Sequence, residues 1–553
     1  MSVAQSEPEE TGAGPAVDFD VVIVGAGFGG MYMLHRLRGM GFTVRVVDAA
    51  DGVGGTWYWN RYPGARCDVE SMQYSYQFSD ALQQEWEWSE KYATQPEILR
   101  YAEHVADRFD LHRDIQLDTP VSSAVFDEAA GHWVLETEAG DRLRATYCVM
   151  ATGCLSSVNT PKFEGIDSFR GASYHTGHWP HEGVDFTGLR VGVIGTGSSA
   201  IQAIPLIAQE AAELTVFQRT PNYMVPARNA PLTPHYQEAV KADYAGMRAR
   251  AKRTFPGLDF TFNEASAVEA TVEERAREFE ARWAYGGVSY MGAFADLLYD
   301  RKANEMAAEF VRSKIRETVD DPEVAELLCP HNIIGAKRLC VDTDYWKTFN
   351  RPNVTLVDVR TSPIEAIAPD GIKVDGKVWK VDAIVYATGF DAMTGALLKI
   401  EIRGVGGQSL REKWRDGPRT YLGLAMAGFP NLFTITGPGS PSVFTNMLPS
   451  IEQHVDWIAD CLGSLREHGL ARIEASQAAE DAWVAHAAEV ATDNLRSQDD
   501  TWYIGANIPG KPRVFMPYIG GFPLYVEKCD AVAANGYEGF ERSPASARAD
   551  AAE

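Results

Sequence analysis

The sequence predicts an α/β protein with two doubly wound, Rossmann-like dinucleotide-binding domains and a helical insertion. Two observations carry the α/β part. A β-branched strand runs into a glycine-rich turn and then a helix, and this arrangement occurs twice. In each copy a second strand follows at the spacing that a dinucleotide fold requires. A third observation separates the insertion. Residues 231–331 are rich in Ala, Glu and Arg and carry apolar residues at helical spacing.

In the first copy, "DVVIVGAGFGG" takes a strand over 21–24 into Gly25, Gly27 and Gly30, followed by the helical "MYMLHRLRGMG". The next strand, "TVRVVDA", ends at Asp48. In the second copy, "RVGVIGTGSSAIQ" places Gly195, Thr196, Gly197, Ser198, Ser199 and Ala200 in the turn, and the following strand, "LTVFQR", ends at Arg219 before Thr220. An acid at that strand end accepts hydrogen bonds from a ribose 2′-hydroxyl, whereas a cation accommodates a 2′-phosphate. The first fold is therefore expected to hold FAD and the second NADP, although Arg219 also reads as a solvated strand end. Within the insertion, Thr271 and Glu274 form a capping-box pattern ahead of Val272, Ala276, Phe279 and Trp283. Strands resume with "NVTLVDV", the hairpin-like "IKVDGKVWKVDAIVYATG" and "NLFTITG".

The expected division is an FAD-binding domain over 17–153 and 390–541, an NADP-binding domain over 154–230 and 332–389, and the insertion over 231–331. Disordered tails are expected at 1–16 and 542–553, where the chain is small and polar.

A formal net charge of −25 argues against a nucleic-acid partner, because phosphate backbones call for clustered Lys and Arg. The seven cysteines form no C-x-x-C pair, which predicts a reducing compartment with neither disulfides nor a metal site. The acidic start lacks an apolar signal core, and no apolar run approaches the roughly 18 residues of a membrane helix. The expectation is a cytoplasmic protein with no membrane partner. Its oligomeric state is not readable.

A chain holding both nucleotides will most simply pass a hydride from nicotinamide to flavin. Disulfide reductases share this plan but need a cysteine pair beside the flavin, and this sequence has none. Molecular oxygen is the remaining usual acceptor.

Two further stretches sharpen this reading. "GGTWYWNRYPGARCD" carries Gly55, Thr56, Trp57, Tyr62, Pro63, Gly64 and Asp68; "FRGASYHTGHWP" carries Phe169, Gly171, His175, Trp179 and Pro180. Both resemble the signatures of the type I Baeyer–Villiger monooxygenases, and "GPGSPSVFTNM" resembles the flavin-proximal loop of the branch that takes phenylacetone, steroids and large-ring ketones. The resemblance spans roughly residues 18–530 and includes "AKRLCVDTDYW", "GPGSPSVFTNM" and "TWYIGANIPGKPR". It implies conversion of a ketone to an ester or lactone with NADPH and O2, through a peroxide at flavin C4a and a tetrahedral intermediate. The family's stabilising arginine falls on Arg338, and its orienting carboxylate on Asp68, which reads equally as a helix N-cap. Lys337 falls on the contact to the NADP 2′-phosphate, beside Arg219 and Thr220. Trp57, Tyr74 and Met447 fall near the flavin, and Trp502 on the nicotinamide-nucleotide side, while the aromatics also read as core.

An arginine suits the catalytic position because it keeps its proton at working pH. In an extended segment adjacent side chains point to opposite sides, so Lys337 can face the phosphate while Arg338 faces the flavin. His175 and Trp179 are read as anchors of an interdomain linker, with Gly171 and Gly177 permitting tight turns; a core histidine is the plainer alternative. The related N- or S-oxygenating flavin monooxygenases are the competing enzyme class, disfavoured by Trp179-Pro180 and the Lys337–Arg338 pair. A non-catalytic NADP-sensing module is the competing non-enzyme.

Overall fold

The computed structural model describes residues 17–544. The strand Phe19–Val24, whose last four residues are buried, lies between two parallel neighbours, Val44–Val47 and Arg142–Met150. Helix Phe28–Gly39 makes the crossover and packs its buried face against helix Met447–Glu467. The eight-stranded sheet runs Glu401–Arg403, Val121–Asp127, His132–Thr137, Arg142–Met150, Phe19–Val24, Val44–Val47 and Ile115–Gln116. Strand Leu432–Thr434 pairs the carboxyl end of Arg142–Met150.

The second sheet is parallel throughout, in the order Val354–Asp358, Glu213–Gln218, Arg190–Ile194, Ala383–Tyr386 and Ala172–His175. It reverses direction of growth at Arg190–Ile194, the point where doubly wound sheets leave a crevice for a ligand. The chain enters this sheet after Met150 and re-enters the first by Glu401, so the first sheet is built from two separated stretches of sequence.

Between the second sheet's strands lie the helices Pro234–Ala242, Tyr244–Ala251, Val272–Tyr285, Arg301–Thr318 and Pro322–Leu328. The parallel pair Met224–Pro226 and Cys340–Asp342 ties the two ends of this helical stretch together. The capping box at Thr271 and Glu274 forms, with both reciprocal hydrogen bonds present. The apolar stripe is narrower than its spacing predicts: Phe279 is buried, but Val272, the first helical residue, is 67% exposed.

Two further expectations are corrected. Strand Phe540–Ser543 pairs antiparallel with Arg472–Ala475, so residues 542–543 are ordered strand and not tail; 1–16 and 545–553 lie outside the described residues. Gly171 and Gly177 do not have positive φ. A Cβ on Gly171 would lie 2.2 Å from the Asp382 carbonyl oxygen, and one on Gly177 would lie 2.5 Å from Val158 Cγ1. Gly177 does stand in a tight turn, the His178 N–H donating to the His175 carbonyl at 2.9 Å, but close approach and not a positive φ selects glycine at both positions. Among the described residues no helix is long and apolar enough to cross a membrane, and no cluster of metal-ligating side chains occurs.

Candidate active site

Each glycine-rich turn leads into a helix without a side-chain cap, which leaves first-turn N–H groups free to meet an anion. In the first turn a Cβ on Gly30 would fall 1.8 Å from the Gly25 carbonyl oxygen, so helix and strand approach as only glycine allows. Gly27 and Gly55 stand back to back: a Cβ on Gly55 would reach 2.9 Å from Gly27 Cα. Asp48 closes this cradle, its Oδ2 accepting from the Ala26 N–H at 2.5 Å and its Oδ1 from the Ala50 N–H at 2.8 Å. Burial raises the Asp48 pKa, and the two N–H groups work in the other direction. Thr56, the first residue of the short helix Thr56–Trp59, is exposed beside Gly55. The residues fit a dinucleotide with free ribose hydroxyls.

The second cradle differs at its far end. A Cβ on Gly197 would meet nothing within 4 Å, so the helix start is open to a phosphate, and Ser198 and Ser199 stand in its first turn above the buried Ala200. Gly195 holds the turn at φ +110°, and Thr196 Oγ1 donates to the Thr220 carbonyl at 2.8 Å, fixing the turn to the strand end. Arg219 is exposed there, and Lys337 is close enough to feel its charge. Burial lowers the Lys337 pKa, with Arg219 adding to the effect and Asp499 and Asp500 opposing it. Two cations without a paired carboxylate within 4 Å among the described residues fit a 2′-phosphate.

Segment 62–68 crosses from the first fold to the second. Tyr62 OH donates to Gln202 Oε1 at 2.8 Å, and Gln202 Nε2 donates to the Arg66 carbonyl at 3.0 Å. A Cβ on Gly64 would lie 2.4 Å from the Gln202 carbonyl oxygen. This docking on helix Ser198–Glu210 delivers Asp68 to Arg338. Arg338 Nε donates to Asp68 Oδ2 at 2.5 Å, Nη2 to Oδ1 at 2.7 Å, and Nη1 to the Val443 carbonyl at 2.9 Å. Burial alone would favour a neutral guanidine; Asp68 outweighs it and holds the Arg338 pKa above the ordinary arginine value. Asp68 is not an N-cap: the turn that follows is Ser71–Gln73, and it starts after Glu70.

Around this pair, Trp57 Nε1 donates to Tyr74 OH at 3.0 Å, and both side chains are buried. Met447 opens the helix Met447–Glu467 and packs with Cys154, Met393, Val443, Tyr503 and Trp502 in one apolar cluster. Trp502 lies against Tyr503, ring centroids 4.0 Å apart.

The linker signature sits behind the second cradle. Phe169 packs on the outer face of the second sheet, and Trp179 is buried against Tyr174 and Phe186. The Pro180 carbonyl accepts from the Gly183 N–H at 3.1 Å. His175 Nδ1 accepts from the Gly177 N–H at 3.0 Å, so Nε2 carries the proton and donates to Thr388 Oγ1 at 3.2 Å. Thr388 in turn donates to the Asn159 carbonyl at 2.6 Å.

Thr388, Asn159, Tyr503 and Arg496 were not singled out by the sequence. Asn159 and Arg496 occupy unremarkable polar positions. The "ATGF" and "TWYIG" stretches around Thr388 and Tyr503 are the only signals that point toward them.

The family model for pyridine nucleotide-disulphide oxidoreductases matches residues 22–257. The match covers the nucleotide-binding frame, because all seven cysteines are unpaired and buried. A Baeyer–Villiger monooxygenase of Pseudooceanicola batsensis is 43% identical over 97% of this chain and 98% of its own length. An acetone monooxygenase (methyl acetate-forming) of Gordonia sp. is 42% identical over 95% and 99%. A phenazine N-monooxygenase of Lysobacter antibioticus is also 42% identical, over 94% and 96%. Among solved structures, an oxidised steroid monooxygenase bound to NADP superposes with a TM-score of 0.91 at 53% identity, covering 95% of this chain and 99% of that one. With identity of this order along nearly the full length, the chain belongs to the Baeyer–Villiger monooxygenase family.

Proposed function

We propose that the chain converts a ketone to an ester or lactone with NADPH, FAD and O2, with Asp68 and Arg338 at the centre of the chemistry. The observation that carries this reading is the two-bond Asp68–Arg338 pair, assembled where segment 62–68 docks on the helix of the second cradle. FAD held there would supply the activation of O2 at the expense of NADPH, so that one oxygen atom of O2 is inserted beside the carbonyl carbon and the other leaves as water.

The chain's own residues do the rest. Gly25, Gly27, Gly30, Asp48, Gly55 and Thr56 hold FAD, with Trp57, Tyr74 and Met447 against its reacting end. Gly195, Thr196, Gly197, Ser198, Ser199 and Ala200 hold the NADP pyrophosphate, Arg219, Thr220 and Lys337 its 2′-phosphate, and Trp502 its nicotinamide side. Arg338 presents a fixed positive charge to the ketone oxygen as negative charge develops there, and in a site shielded from water such preorganised charge acts most strongly. It cannot give up its proton, so it stabilises an anion without quenching one. Asp68 sets the plane of the guanidinium. FAD binding falls to 17–153 and 390–541, NADP binding to 154–230 and 332–389. Seven thiols without a disulfide favour the reducing cytoplasm.

The test replaces Arg338 with Ala. NADPH should still bleach the flavin without oxygen, while ester formed from a ketone after aeration falls by about 100-fold or more; ester at the normal rate would remove Arg338 from the mechanism. The phenazine N-monooxygenase relative favours N-oxygenation as the second reading. Assaying wild type with ketones beside heteroaromatic amines separates them, because only the first reading gives esters.

A further inference from the structure

Arg496 stands beside this site with both terminal nitrogens of its guanidinium unused. Its Nε donates to the Gly335 carbonyl at 2.9 Å, in the turn that leads to Arg338. Its guanidinium carbon lies 5.0 Å from the ring centroid of Phe444 and 5.8 Å from that of Phe255. Nη1 is shut off from solvent and has no hydrogen-bond partner. Nη2 donates to no acceptor among the described residues either, and no carboxylate of those residues lies within pairing distance. Its nearest titratable neighbours are two tyrosines, Tyr503 and Tyr299, and burial pulls its pKa below the ordinary arginine value. A largely buried cation with no counter-charge is costly, and folded chains rarely keep one without use.

The place of Arg496 suggests the use. Phe444 follows Val443, whose carbonyl accepts from Arg338. The Phe444 ring is 4.5 Å from that of Tyr503 and stacks at 5.8 Å with Phe515. The Asn446 N–H donates to the Pro256 carbonyl at 2.8 Å, which holds Phe255 in the same wall. Two guanidinium groups thus reach one Val443–Phe444 step, Arg338 at its carbonyl and Arg496 at its ring. Three of the five N–H donors of Arg338 serve Asp68 and Val443, and those that remain are the ones the reading above gives to the reacting carbonyl. Arg496 keeps Nη2 without an acceptor among the described residues, and a guanidinium N–H there can give a charge-assisted hydrogen bond to a carboxylate oxygen.

We propose that Arg496 is a specificity-determining residue that binds a carboxylate carried by the ketone, so that the preferred substrates are oxo acids with an apolar body between the two groups. The proposal rests on the ketone-oxygenating reading above. Arg338 then faces the reacting carbonyl, the aromatic wall covers the body, and Arg496 receives the acid.

The test uses the full-length, FAD- and NADP⁺-loaded protein in its oxidised state, with 4-oxo-4-phenylbutanoate and its methyl ester as probes. Calorimetric titration measures binding without turnover, and ester formation is then assayed separately. Wild type should bind the acid at least about 10-fold more tightly than the methyl ester, and Arg496→Met should erase that preference through a roughly 10- to 100-fold loss for the acid alone. Arg496→Lys should keep part of it, and NADP⁺ affinity should stay unchanged in both variants. Equal binding of acid and ester by wild type would overturn the proposal. So would equal weakening of both probes in Arg496→Met, which would mark a packing role, or a loss confined to NADP⁺, which would mark a nucleotide contact. Arg496-dependent binding of the acid with no ester from any ketone would support the carboxylate site and overturn the oxygenation reading instead.

Discussion

A guanidinium held by a carboxylate at both Nε and Nη2 cannot turn without breaking two charged hydrogen bonds, and that is how Asp68 fixes Arg338. Lys337, next in the chain, is under no such restraint. It has no hydrogen-bonding partner among the described residues, and burial lowers its pKa. Only the ammonium form attracts a 2′-phosphate. Because its pKa is lowered, Lys337 loses that form at a lower pH than an ordinary lysine, near 10.4. The preference for NADPH over NADH should therefore fade as pH rises, before a free lysine would titrate. Measuring kcat/KM for both coenzymes from roughly pH 6 to pH 10 checks this. Lys337→Arg should hold the preference flat across the range, and a flat wild-type profile would remove Lys337 from phosphate binding. At this scale the sequence was readable only where a motif surrounds the residue. Arg338 and Asp68 sit in recognisable stretches far apart in the chain, and their pairing came from family resemblance, not spacing. Arg496 has no such setting; its meaning lies in a missing partner, which no linear pattern displays.

At the scale of elements, local signals served well where local physics decides. The strand–turn–helix pairs and the capping box at Thr271 form as their residues dictate, because backbone geometry and caps involve near neighbours. Glycines in loops were less legible, since a close approach depends on what packs from elsewhere. Gly177 and Gly39 make the contrast testable. A Cβ at Gly177 would press on Val158 Cγ1 at 2.5 Å and on the Phe390 ring at 2.9 Å, so Gly177→Ala should cost about 1–3 kcal/mol. A Cβ at Gly39, in the last turn of helix Phe28–Gly39, would meet nothing within 4 Å, and Gly39→Ala should be neutral or stabilise by up to about 1 kcal/mol. Thermal melts of the two variants beside wild type read both signs. Equal melting temperatures would mean that the Val158 and Phe390 side chains give way.

Across the whole molecule, the chain passes between the two sheets twice, and the two passages lie side by side. The Asp391 N–H donates to Ser157 at 2.7 Å, the Met393 N–H to Cys154 at 2.8 Å and the Asn159 N–H to Gly389 at 2.9 Å, while Val158 bridges Phe390 in antiparallel fashion. A movement of one nucleotide fold against the other has to bend this ribbon. The sequence marked His175 as an anchor of the interdomain linker but did not show its partners. Through Thr388 and Asn159 it holds the two passages to each other, a partnership between residues more than 200 positions apart. Burial lowers the His175 pKa, and its Nδ1 already accepts the Gly177 N–H, so it works as a neutral hydrogen-bonding post and not as an acid. Loss of that post loosens the hinge without touching either cradle. His175→Ala should therefore keep FAD bound and still oxidise NADPH, while a smaller share of that NADPH ends in ester and a larger share in hydrogen peroxide. The ratio of ester to NADPH consumed, with peroxide assayed beside it, measures the effect. If the ratio stayed at the wild-type value, the hinge would be held by the ribbon's backbone bonds alone, and His175 would be a core histidine with no part in coupling.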